Sequence, residues 1–102
     1  SQGKMDYEAG LSPLVLQRYL QYLDSHRKQS DGGMRPFDNW QKGMDQPVYM
    51  KSMLRHTIDT WLIHRGFPTH ATNKDIEEAL CAELFNTMGM LFEVLKNKEE
   101  KI

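Results

Sequence analysis

Cysteine is nearly absent from this chain: Cys81 is the single one in 102 residues, so no internal disulfide can staple the fold. No apolar run approaches the roughly 18 residues a membrane span requires, and no membrane role is expected. A Walker-type phosphate loop, a GxGxxG turn, a CxxC pair and internal repeats are all missing, which removes the commonest nucleotide and metal signatures. An excess of one charge sign is missing too. Thirteen basic and fourteen acidic residues leave a net charge of -1, and such a chain sets up no overall field for a DNA duplex or a membrane surface. The opening residues carry no secretory pattern, and the expected setting is the cytoplasm.

What is present is helical patterning. With 39% hydrophobic and 26% charged residues, the composition is that of a globular chain, and 102 residues suit one domain, 1–102, with disordered ends near 1–8 and 97–102. So small a domain buries only roughly 60–65% of its unfolded surface, and association would help it. The fold class read from the pattern is all-α: a compact bundle of three main helices, near 12–28, 47–65 and 73–96, plus a short helical turn, completed by oligomerisation.

Local signals place these helices. Ser12 before Pro13 reads as an N-cap beside a residue favoured at the first helical position, with Leu16, Tyr19, Leu20 and Leu23 at helical spacing. Gly32 and Gly33 stop that helix, and the polar stretch from Ser25 to Arg35 reads as a frayed end leading into an exposed, mobile loop. Between Pro36 and Pro47, Asp38 is placed to cap a single turn anchored by Trp40 and closed by Gly43. The second helix begins near Pro47 and carries Met50, Met53, Leu54, Thr57, Ile58, Trp61 and Leu62, the spacing of one buried face. Lys51, Ser52, Arg55, His56 and Asp59 lie opposite, and Gly66 with Pro68 ends it. The third helix starts at Thr72 or Asn73, with Asp75 in its first turn. Its apolar set, Ile76, Leu80, Leu84, Met88, Leu91 and Leu95 with Cys81, Phe85 and Phe92 beside it, covers about 140°, more than one neighbouring helix needs. Gly89 within it predicts the close approach of another backbone.

The residues able to carry chemistry gather on the second helix. Arg55 and Asp59 stand four apart, which suits a surface ion pair; alternatively Arg55, through its planar fork, and His56, as a donor, hold phosphate oxygens, with Lys42 and Lys4 adding charge. His56, Thr60 and His64 form a column, yet His56 and His64 are about 12 Å apart along the axis, too far to share one zinc ion. His70 adds no recognised spacing. Among the carboxylates, Asp59 on the second helix and Asp75, Glu77, Glu78 and Glu83 on the third are the set from which a magnesium site would have to be built, or else they simply favour a helix start. Cys81 sits among Leu80, Leu84 and Phe85 and reads as a buried hydrophobe. Trp40 and Tyr49 suit either base stacking or a structural anchor.

One family shares several of these residues in the same order: Gly3 and Lys4; Leu11 to Leu14; Asn39 and Trp40 with Lys42 and Gly43; Ser52 with Leu54, Arg55 and His56; Arg65 and Gly66; and Asn86 in an alanine-bearing helix. The chain resembles small phage and prophage proteins classed with the N-terminal domain of dATP/dGTP diphosphohydrolases, themselves distantly MazG-like. That resemblance implies an all-helical domain that binds purine (deoxy)nucleotide phosphates, in a host-cell cytoplasm, with Mg²⁺ as the ion. It singles out Asn39, Trp40, Lys42, Arg55, His56 and Asn86 for the nucleotide, to which Lys4 would add charge; in a hydrolytic reading Asp59 with Glu78 or Glu77 would be the magnesium ligands. Two departures stand out. SHRKQSDGGMRPF replaces a Gly-Ala-x-Lys-Tyr-Gly-like element after the first long helix, and the second helix has one carboxylate where MazG-like enzymes carry a pair. Three readings follow: Mg²⁺-dependent pyrophosphohydrolysis of a purine dNTP, non-catalytic sequestration of a nucleotide-derived signal by a homo-oligomer, or a helical interaction module with no small ligand.

Overall fold

In the computed structural model, residues 3–69 and 74–100 are described. The elements are α1 (Tyr7–Gly10), α2 (Pro13–Ser25), a 3₁₀ turn (Asn39–Lys42), α3 (Gln46–His64) and α4 (Ile76–Glu100). Three helices are long and no strand occurs among the described residues, so the protein is all-α. None of these helices is long and apolar enough to cross a membrane. The chain divides into two compact units, Ser1–Arg35 and Pro36–Ile102.

In the first unit the capping signal works as the sequence suggests. The Ser12 hydroxyl accepts from the Val15 N–H at 3.2 Å, and Pro13 opens α2. The helix nevertheless ends at Ser25, short of residue 28, because the chain that follows finds other partners. Arg35 N–H donates to Arg27 O and Gln29 N–H to Gly33 O, both at 2.8 Å. These bonds fold residues 27–35 into a tight turn with an isolated bridge between Lys28 and Met34, where an open loop was expected. Residues 7 and 8, expected in a disordered end, belong to α1, which Asp6 caps through Ala9 N–H at 3.0 Å.

The second unit is an antiparallel pair of helices. Its direction follows from its contacts: Tyr49 near the start of α3 meets Gly89 late in α4, while Thr57 and Thr60 meet Glu83. Asp59 in turn meets Lys74, just ahead of α4. Gly66 has φ 82°, and its N–H reaches Ile63 O at 3.0 Å while Phe67 N–H reaches Leu62 O at 2.8 Å. This is a Schellman end, which a side chain at position 66 would strain. The start of α4 lies at Ile76; Thr72 and Asn73, proposed as its cap, fall outside the described residues, as does His70. At the other end α4 runs through residues 97–100, past the expected limit at 96.

The packing faces differ from those the apolar spacing suggests. On α4 the buried residues are Ala79, Cys81, Ala82, Asn86 and Gly89, and all but Cys81 form one stripe of small residues at intervals of three and four. Against it α3 sets Tyr49, 1% exposed, with its ring on Gly89. The approach at Gly89 is therefore made by an aromatic ring and not by a second backbone. Burying that ring contributes roughly 4–6 kcal/mol before ordering costs. Leu54, Ile58 and Trp61, expected in the buried face of α3, are 60%, 51% and 55% exposed. Small residues on α4 admit one large ring and two threonines, and this rotates the bulky aliphatic stripe of α3 away from the helix pair. The 3₁₀ turn is anchored as expected, Trp40 standing edge-on to Phe92 with centroids 5.0 Å apart, although Asp38 makes no side-chain cap there.

Candidate functional site

The polar side chains of mid-α3 meet two groups supplied from the α4 side. Lys74 Nζ donates to Asp59 Oδ2 at 2.5 Å, and these side chains are only 12% and 13% exposed. The same ammonium lies 3.0 Å from His56 Nδ1. An ammonium has no lone pair, so Nδ1 is the acceptor, the ring is neutral and its proton sits on Nε2. The electrostatics agree. Burial pushes the His56 pKa below its ordinary value, the Lys74 and Arg55 charges push it further, and the Asp59 and Glu83 carboxylates oppose them. Beside them on α3, Thr57 Oγ1 donates to one oxygen of Glu83 and Thr60 Oγ1 to the other, both at 2.6 Å. Each threonine hydroxyl also lies within 3.0 Å of a carbonyl of its own helix, Met53 O and His56 O. A hydroxyl has one proton, and the shorter bond to a carboxylate is the stronger claim on it.

The structure distributes the sequence-derived candidates over four places. Arg55 and His56 are neighbours on α3. Arg55 is exposed, its Nη2 lies 3.5 Å from Ser52 Oγ, and among the described residues it forms no ion pair. The expected Arg55–Asp59 pair is thus not made, because Lys74 takes the Asp59 carboxylate from across the helix pair. Asn39, Trp40 and Lys42 lie on the 3₁₀ turn, near Phe92 of α4. Phe92 is nine residues beyond Glu83, about 13 Å along the helix axis, so this turn and the Arg55–His56 locus are separate features. Lys4 belongs to the first unit. Asn86 is 3% exposed and its Nδ2 donates at 2.8 Å to Ala82 O one turn back in the same helix, so its amide is spent on the α4 backbone.

The acidic candidates are engaged or apart. Asp59 is held by Lys74, and Glu77 and Glu78 lie in the first turn of α4, where the Glu78 N–H donates to Asp75 Oδ1 at 2.9 Å. Among the described residues no group of three or more His, Cys, Asp or Glu side chains gathers as a cation would need. Magnesium requires several converging oxygens, and a carboxylate already neutralised by an ammonium is a poor start. This donor set does not fit the ion.

Sequence reasoning passed over Lys74, Thr60 and Glu83 as a connected group. A faint signal existed for two of them: Thr60 stands with Thr57 among the apolar positions of α3, and Glu83 sits one residue from a small-residue stripe where a solvated acid has no reason to be; Lys74 carried none. A second feature lies toward the end of α3, a shallow apolar hollow of about 320 Å³ lined by Ile58, Trp61, Leu62, Arg65 and Phe67. The Arg65 guanidinium carbon stands 5.6 Å from the centre of a Trp61 ring. No protein-family model matches the chain, and no curated protein or solved structure shows significant similarity to it.

Proposed function

We propose that this protein binds a phosphate-bearing ligand at Arg55 and His56, and that it does so without hydrolysing it. The observation that carries this reading is the Lys74 contact to His56. By occupying Nδ1, Lys74 fixes the ring as a neutral Nε2–H donor, next in sequence to an exposed guanidinium with no carboxylate partner among the described residues. A fixed donor beside a planar cationic fork suits phosphate oxygens. The resemblance to proteins of purine deoxynucleotide metabolism suggests that the phosphate belongs to a purine nucleotide or a nucleotide-derived signal. The commitment of Asp59 to Lys74 argues against magnesium-dependent turnover and favours sequestration over catalysis.

Calorimetry with dATP, dGTP and pyrophosphate, each with and without Mg²⁺ and with products assayed in parallel, tests this. Binding without product is the expected result. Arg55→Ala should remove a charge-assisted contact of about 1.5–3 kcal/mol, a loss of roughly one to two decades in affinity. Equal affinity in wild type and variant would move the site elsewhere. Pyrophosphate release that depends on Mg²⁺ would establish the enzyme reading, and no binding at all would leave the interaction module.

A further inference from the structure

Helix α4 has a second apolar side that α3 does not cover. Ala79, Ala82, Asn86 and Gly89 face α3. Ile76, Leu80, Leu84, Met88, Leu91 and Leu95 fall within an arc of about 120° on the other side of the helix, at 100° per residue. All but the half-buried Leu84 are between 37% and 53% exposed. The stripe runs about 28 Å, long enough to pair with another helix along its whole length.

The order of residues along this stripe says what that helix is. Turned end for end about the point between Thr87 and Met88, α4 sets Leu80 against Leu95, Leu84 against Leu91, and the exposed Glu77 against the exposed Lys98, while Met88 meets Thr87 at the axis and Ile76 falls opposite Glu99 at the rim. Leucine against leucine and opposite charges at these three pairs are what an isologous two-fold contact demands, since each residue must suit its mate in both directions. Parallel pairing of the same stripe would bring Glu77 to Glu77 and Lys98 to Lys98, a repulsion at both ends. We infer that α4 pairs antiparallel with α4 of a second copy of this chain, on a two-fold axis beside Thr87 and Met88. This contact is independent of the phosphate site, because it uses the side of α4 away from α3.

Sedimentation equilibrium of the full chain at micromolar concentrations tests the contact, and a dimer is expected. Leu91→Glu places a charge in the middle of the stripe at a residue already 53% exposed; it should give a monomer with an unchanged far-UV circular dichroism spectrum. Lys98→Glu turns two attractive contacts into repulsive ones and should weaken the dimer roughly three- to tenfold, since each exposed pair contributes little and the two-fold counts it twice. Glu77→Lys combined with Lys98→Glu should restore the wild-type dissociation constant. A monomeric wild type overturns the proposal, as does a dimer that survives Leu91→Glu. Failure of the double charge reversal to restore the Lys98→Glu loss overturns the antiparallel register, because only that register brings positions 77 and 98 together.

Discussion

Replacing Gly89 by alanine sets two known effects against each other. In an exposed helix the change is stabilising by about 1 kcal/mol, through helix propensity alone. Here the new Cβ would stand 2.5 Å from Tyr49 Cε1, 2.7 Å from Cζ and 2.9 Å from Oη, where ordinary contact begins at 3.4 Å. The ring would have to retreat by about 1 Å, yet Tyr49 is 1% exposed and rigid at its two torsions, so the strain passes to the helix pair. Overpacking of this kind costs about 1–3 kcal/mol. With the ring edge this close we place it at the upper end, which leaves a net loss of about 1–2 kcal/mol and a fall in Tm of roughly 4–16 °C for a domain of this size. Thermal and urea unfolding followed by circular dichroism provide the assay. Two controls separate packing from propensity: Gly10→Ala, where nothing lies within 4 Å of the added carbon, should not destabilise, and Tyr49→Leu should make the Gly89→Ala change much less costly, a coupling of at least about 1 kcal/mol. A Tm that rises in Gly89→Ala would refute the docking of Tyr49 on Gly89, and with it the register of the helix pair.

Three further expectations concern the polar cluster. Lys74→Met or Asp59→Asn alone should each cost about 3 kcal/mol by leaving a largely buried charge without its partner, while the double variant should recover much of that; additive losses in urea unfolding would refute the pair. The lowered pKa of His56 means that the unfolded chain takes up a proton which the folded ring resists. As the pH falls through the ordinary histidine value of 6.5, wild type should therefore lose stability relative to His56→Asn, and above that value the difference should be flat. Urea midpoints over a pH series check the sign, and a wild type that gains on acidification contradicts the Lys74 contact. Thr60→Val should cost about 1–3 kcal/mol by removing a hydroxyl from the Glu83 carboxylate, whereas Thr60→Ser should retain most of it; equal stability of the two variants would mean that the hydroxyl bond contributes nothing.

Helix positions were legible from the sequence because their signals are local. Ser12 with Pro13, the proline at 47 and Gly66 act within one turn of chain, through caps and backbone angles that need no partner, and the start of α2 and both ends of α3 follow them closely. The exception at residues 25–35 has the same logic in reverse: Arg27 and Arg35 are eight residues apart, and only the folded turn brings their backbones into register. Which face of each helix is buried was a tertiary decision. Both α3 and α4 carry more apolar residues than one neighbour can cover, and hydrophobic spacing alone cannot say which stripe is used. The choice fell to shape: Ala79, Ala82 and Gly89 leave a groove that a tyrosine ring fills, and the larger aliphatic residues were turned outward. The site followed the same division. Arg55, His56 and Asp59 were visible as one polar cluster on one helix, but Asp59 finds its counter-ion in Lys74, fifteen residues away. Charge pairing across two helices depends on their register, which is set by the whole interface and is written in no short stretch of either one.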